Sequence, residues 1–140
     1  VPEEVYNKPE SIFVAKFLAN PVNNIVKSKL IKKENLVYLE VLDLLIDNDK
    51  LRDLTEVYFS IRPENLFFEK NTQEKAIQVD IVQIENHGHE LLVSSKIINN
   101  EQILYFRANK DQSLSIGSKI SLGFNIEDLL FFDTINERII

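Results

Sequence analysis

From about Asn24 onward, apolar and polar residues alternate with a period of two, and no other feature restricts the fold as strongly. Ile77, Val79 and Ile81 alternate with Gln78, Asp80 and Gln83, and Ile120, Leu122 and Phe124 alternate with Ser121 and Gly123. Successive side chains of an extended strand point to opposite faces, so this pattern predicts half-buried strands. Strands are expected near 24–31, 36–45, 55–62, 75–85, 90–98, 102–108, 118–125 and 128–132. Turn-forming residues interrupt them at Asp47-Asn48-Asp49, Asn71-Thr72, Asn86-His87-Gly88, Asn99-Asn100, Asn109-Lys110-Asp111 and Ile116-Gly117. Many short strands at such spacing predict a mainly β chain, either a sandwich or a small closed barrel.

The first residues follow a different rule. Pro2 suits the opening turn of a helix, and Glu3 and Glu4 sit where the positive end of the helix dipole favours anions. Pro9 breaks that short helix and opens a second, in which Phe13 and Phe17 lie four residues apart and Ile12, Val14 and Leu18 widen the apolar face. Asn20-Pro21 stops it. This face packs either on its own domain or on a neighbouring one. The expected organisation is a helical segment over 1–22, linking to a further domain, and a β-barrel over 23–140. The opening Val1-Pro2-Glu3-Glu4 and the lack of any Met point to a domain excised from a longer protein.

Composition narrows the chemistry. A chain of 140 residues with 44% hydrophobic residues has enough apolar material for a core. The 22 acidic and 16 basic residues give a net charge of -6, the wrong sign for binding that depends on neutralising phosphates. There is no Cys, hence neither a disulfide nor a thiolate site. No apolar run approaches the ~20 residues of a membrane-spanning helix.

Candidate chemical clusters each have a structural explanation. His87-Gly88-His89 with Glu85 or Glu90 brings two imidazoles and a carboxylate close in sequence. Its spacing matches no zinc motif, and a hairpin turn accounts for Gly88 through its tolerance of positive φ. Asp43, Asp47, Asp49 and Asp53 suggest calcium, but a loop counted from Asp47 has Arg52 where the turn glycine belongs and Tyr58 where the terminal glutamate belongs. With 3 glycines, none set in a phosphate-binding loop or a nucleophile elbow, catalysis by this segment is not expected. In Arg62-Pro63-Glu64 the proline fixes φ and biases Arg62 toward an extended backbone, which makes a rigid corner at a strand end.

Read in order, these segments resemble the C-terminal part of the ATPase subunits of ATP-binding-cassette (ABC) importers of the maltose, multiple-sugar and glycerol-phosphate type. Pro2-Glu3-Glu4-Val5-Tyr6-Asn7-Lys8-Pro9 is similar to that family's TPxExYxxP text, and the stretch from Phe13 to Asn24 to its FVAxFIGSPxMN. Ile61-Arg62-Pro63-Glu64-Asn65-Leu66 resembles IRPEHL, and Ile84 to Glu90 resembles VExLGxE. Ile116 to Phe124 resembles the GxxVxLxF strand, and Leu130-Phe131-Phe132-Asp133 the HLFD strand end. Departures fall at Ala19-Asn20, Asn23 and His87, and in the shorter last turn Thr134 to Arg138.

The resemblance implies an oligonucleotide-binding-like (OB-like) small β-barrel of the transport-associated, or TOBE, type. Its family-motif positions here are Arg62, Pro63, Glu64, Glu85, Gly88, Glu90 and Gly117, with Phe13 and Phe17 on the linker helix. The implied role is regulatory, with no catalytic, cofactor or metal site in this segment, and with ATP and Mg bound only by a separate nucleotide-binding domain. Implied partners are a second copy, that nucleotide-binding domain, the importer's membrane subunits indirectly, and a regulatory protein, but not nucleic acid. The implied location is cytoplasmic, on the inner face of the membrane. Phe67, Phe68, Phe131 and Phe132 are either core or a self-contact surface. Two other readings compete: an oxyanion-binding barrel using Ser94-Ser95-Lys96 or Ser118-Lys119, and a nucleic-acid-binding barrel using Tyr105-Phe106-Arg107.

Overall fold

A computed structural model describes residues 24–69 and 76–140. The expected helix, Phe13, Phe17 and the boundary between 22 and 23 lie outside the described residues. The rest is strand, turn and short 3-10 helix, and it sorts into two compact units. One comprises the described residues up to Ser60 together with Leu129–Ile140, and the other Ile61–Asp128. Each carries one five-stranded sheet.

In the first unit the sheet order is β10-β4-β1-β2-β3. The strands are β1 (Asn24–Lys33), β2 (Leu36–Leu39), β3 (Leu44–Ile46), β4 (Glu56–Ile61) and β10 (Leu130–Phe132). Lys33 pairs with Leu36, so β1 and β2 are joined by Glu34 and Asn35 alone, with φ of 51° and 68°. A two-residue turn with both residues left-handed twists in the same sense as its flanking strands, which fixes the register. That register places Leu30 opposite Leu39 and Val37 opposite Ile46, all buried, and turns Tyr38 and Leu45 to the other face.

The expected strand 36–45 is two strands. Asp43, at φ 49°, closes a turn in which its N–H donates to the Glu40 carbonyl, while the buried Ser28 hydroxyl accepts from the Val41 N–H. Leu39 and Leu44 are both core residues although they stand an odd number of positions apart, so the period of two is broken here, and the apolar Val41 and Leu42 between them mask the break. Asp47-Asn48-Asp49 forms the predicted solvated turn. Asn48 Oδ1 accepts from the Lys50 N–H at 3.0 Å and caps a 3-10 turn (Asp49–Leu51) that inserts Leu51 into the core. At the opposite edge the C-terminal residues fold back on β10, with the Ile140 N–H donating to Phe131 and the Asp133 N–H to Arg138.

In the second unit the order is β5-β9-β6-β7-β8: β5 (Phe67–Glu69), β6 (Ile77–Asn86), β7 (Glu90–Ile97), β8 (Ile103–Asn109) and β9 (Lys119–Gly123). Edge strands β5 and β8 approach each other, and a 3-10 turn (Pro63–Asn65) packs against β8. The sheet is therefore curled into a nearly closed, OB-like barrel, as the resemblance implies. β5 has no counterpart among the expected strands, since three residues are too few to display an alternation. The interior holds Ile77, Val79, Ile81, Val93, Leu104, Phe106 and Leu122. Ser95 also points inward and meets its hydrogen-bonding need by donating to the Leu104 carbonyl at 2.8 Å.

Candidate functional site

Strict alternation after Ile77, Val79 and Ile81 would send Gln83 into the barrel. The register shift between Ile81 and Gln83 prevents this, because Ile81 faces Ser95 whereas Gln83 faces Ser94. Val82 is the extra residue and is 44% exposed; beyond it, Ile84 faces the buried Val93. A bulge of this kind bends its strand and re-aims the side chains beyond it. Gly117 anchors the bulge: its N–H donates to the Ile81 carbonyl at 2.8 Å, and the Ile81 N–H donates to the Ser118 carbonyl at 2.9 Å. Gly117 has φ +88° with open space where a Cβ would stand, so the backbone conformation, not crowding, calls for glycine.

Beyond the bulge, β6 and β7 run to a hairpin tip that gathers the motif positions Glu85, Gly88 and Glu90. Asn86 Oδ1 accepts from the Gly88 N–H at 2.9 Å, and Gly88 takes φ +91°. Glu85 and His87 meet across 3.0 Å on one side of the tip, both about half exposed. On β7, Glu90 forms an ion pair with Arg107 of β8, a partner 17 residues away that no sequence motif joins to it. A signal exists all the same, because once β7 and β8 pair, Leu92 stands opposite Arg107 and Glu90 is its diagonal neighbour on one face. Arg107 Nε is buried without a hydrogen-bond partner, so only the outer part of the guanidinium is engaged. His89 stays outside these pairs; among the described residues no group of three or more His, Asp or Glu side chains could hold a metal.

The corner at 62–64 lies elsewhere on this unit. Arg62 is extended at φ -73°, ψ 146°, and Pro63, buried, opens the 3-10 turn with its carbonyl accepting from the Leu66 N–H. Glu64 is exposed. The motif positions thus separate into a structural corner and a polar hairpin tip. They do not converge on one cavity.

Three of the oxyanion candidates, Ser95, Ser118 and Lys119, are engaged by the chain itself. Ser95 bonds Leu104 inside the barrel, Ser118 Oγ donates to the Ser115 carbonyl at 2.6 Å, and Lys119 Nζ lies 3.1 Å from Asp80. In the Tyr105-Phe106-Arg107 triplet, alternation sends Phe106 into the core and leaves Tyr105 and Arg107 on the other face, where Arg107 is paired with Glu90. Of the four phenylalanines that could serve core or self-contact, Phe132 is fully buried, Phe68 and Phe131 are half-buried and Phe67 is 43% exposed. In the first unit a groove of about 240 Å³ is lined by Leu36, Leu45, Asp47, Asp49 and Arg52 among others. That is below the ~300–1,000 Å³ of sites that enclose small molecules. Among the described residues no helix is long and apolar enough to cross a membrane.

Comparison with known proteins supplies the remaining information. The profile of the TOBE domain matches residues 59–132, more than half of the chain. The chain is 29% identical to the oligosaccharides import ATP-binding protein MsmX of Bacillus subtilis, over 97% of its own length and 39% of that protein's. It is 29% identical to the sn-glycerol-3-phosphate import ATP-binding protein UgpC of Psychromonas ingrahamii, over 94% and 36% respectively. It is 28% identical to the multiple sugar-binding transport ATP-binding protein MsmK of Streptococcus mutans, over 99% and 39%. The chain therefore spans less than two fifths of these relatives. In structure it is similar to the molybdate-binding protein ModG, with a TM-score of 0.56 and 12% identity over 77% of this chain and 94% of that one. At that identity the likeness concerns the fold.

Proposed function

Since the chain belongs to the TOBE domain family, we propose that it is the non-catalytic regulatory and dimerisation domain of an ABC importer's ATP-binding subunit, serving sugar or glycerol-phosphate import. One observation carries this reading. Nearly the whole chain aligns with import ATP-binding proteins, while covering under two fifths of each. The uncovered part of those relatives is where ATP and Mg would bind, and this chain has no phosphate-binding loop of its own. The domain would work from the cytoplasmic side of the membrane complex, beside its nucleotide-binding domain and a second copy of itself, and would offer a surface to a regulatory protein. Nucleic acid is not a partner in this reading.

The barrel suits such a role physically. Its motif residues build a stiff corner, a braced bulge and a capped hairpin, which are features of a rigid body that transmits position, not of a cleft that binds a small molecule. A two-fold self-contact would use the same patch on both copies. The coding sequence immediately upstream of Val1 tests the proposal. An in-frame P-loop, an LSGGQ-like segment and an acidic Walker B strand are expected; a start codon at or near Val1 overturns it.

A further inference from the structure

Antiparallel strands with one face in water alternate apolar and polar residues. β2 and β3 do not: they read Leu36-Val37-Tyr38-Leu39 and Leu44-Leu45-Ile46, apolar at every position. Val37, Leu39, Leu44 and Ile46 fill the core, whereas Leu36 and Leu45 turn away from it and are 45% and 43% exposed. The register orders what lies on this outer face. Ile31, Tyr38 and Leu45 stand opposite one another on β1, β2 and β3 and make one apolar row across the sheet. In the next row Leu36 is flanked by Lys33 on the β1 side. Alternation beyond β3 brings exposed Asp47 to its other side, where Asp47 lines a groove with Leu36 and Leu45. Lys33 Nζ leans over the apolar row, 5.8 Å from the centre of the Tyr38 ring. The patch therefore has a cation along its β1 side and a carboxylate along its β3 side.

We infer that this face docks a second copy of the chain. A sheet apolar on both faces is completed by a second layer, and a two-fold axis supplies that layer from the same patch. With the axis parallel to the strands, β1 of one copy lies over β3 of the other. Tyr38 and Leu36 then meet their own counterparts, Ile31 meets Leu45, and Lys33 of each copy faces Asp47 of the other. An axis across the strands lays β1 on β1 instead and sets Lys33 against exposed Lys29, like against like, so charge selects the first arrangement. Glu40, beyond the apolar row, stands beside Lys29 of its own copy, which leaves that end neutral. Three strands about 4.8 Å apart and two rows deep cover far less than the ~800 Å² per partner of a standard interface, so the association is weak. In naming a second copy, this assignment rests on the function proposed above and gives its self-contact a surface.

Sedimentation equilibrium of the 140-residue chain is expected to show a reversible dimer with a Kd on the order of 100 μM. Leu45→Asp weakens it by about 10-fold or more, because the substitution puts a carboxylate in the centre of the patch. Lys33→Glu and Asp47→Lys each weaken it about 10-fold, since each sets like charges face to face twice, and the two together restore it to within about 3-fold. Lys33, Leu45 and Asp47 are all exposed, and circular dichroism checks that each variant is folded; Leu36→Ser takes the place of Leu45→Asp should that variant unfold. A chain still monomeric at about 500 μM overturns both the surface and the self-contact, while the upstream coding sequence continues to test the importer reading. A dimer indifferent to Leu45→Asp, or one that the double charge exchange does not recover, overturns the surface alone.

Discussion

Glu34 is an unusual residue for the place it holds. Both residues of the β1–β2 turn are left-handed, a conformation that Asn and Gly adopt easily and Glu does not. Replacing Glu34-Asn35 by Asn-Gly is therefore expected to raise unfolding stability by ~0.5–1 kcal/mol, measured by urea denaturation with unchanged slope. The opposite case is Gly117. An alanine there has room for its methyl group but must hold φ near +88°, so Gly117→Ala should cost ~1–2 kcal/mol. Gly117→Asn should cost less than Gly117→Ala, and equal costs would show that the strain lies elsewhere. For Glu90→Gln only about 0.5 kcal/mol is expected, since the pair with Arg107 is about one-third exposed and water screens it.

The strands themselves are readable wherever alternation lasts long enough. β6, β7 and β8, of 10, 8 and 7 residues, lie within a residue or two of their expected bounds. The three-residue β5 leaves no trace, and the turn between β2 and β3 is hidden because the apolar Val41 and Leu42 lie between its two core residues. The bulge at Val82 is visible as a slip in the alternation at Ile81-Val82-Gln83, but its cause is tertiary: only opposite β7 does the extra residue keep Gln83 out of the barrel. Likewise the Asp133 carboxylate, which accepts from the N–H groups of Ile135 and Asn136, holds the tail against β10. Asp133→Ala should cost ~1 kcal/mol and speed amide exchange at Ile140, whose N–H donates to Phe131.

For the whole molecule, the OB-like fold leaves the oxyanion question to be answered by chemistry. ModG, the structural neighbour, binds molybdate, whereas Ser95, Ser118 and Lys119 already bond to this chain's own backbone and to Asp80. Calorimetric titration with molybdate is expected to give no saturable heat, and saturable binding would revive the competing reading. Sedimentation should find the 140-residue chain monomeric at nanomolar concentration, because in the proposed importer the ATP-binding domains add a second contact that this chain lacks; a dimer that persists at that concentration would contradict this.

Sequence alone determined that the described residues make a barrel-forming run of short strands, where most strands lie, and which family the chain belongs to. It could do so because burial on one face imposes a local period of two, and because the corner, hairpin and Gly117 motifs are short stretches whose backbone needs dictate their residues. Only the tertiary structure decided that Glu90 meets Arg107, that Ser95 and Ser118 bond to the chain's own carbonyls, and that Phe132 is buried while Phe67 is not. Those outcomes depend on which strands become neighbours. Pairing joins residues far apart in the chain, and no local period encodes the partner.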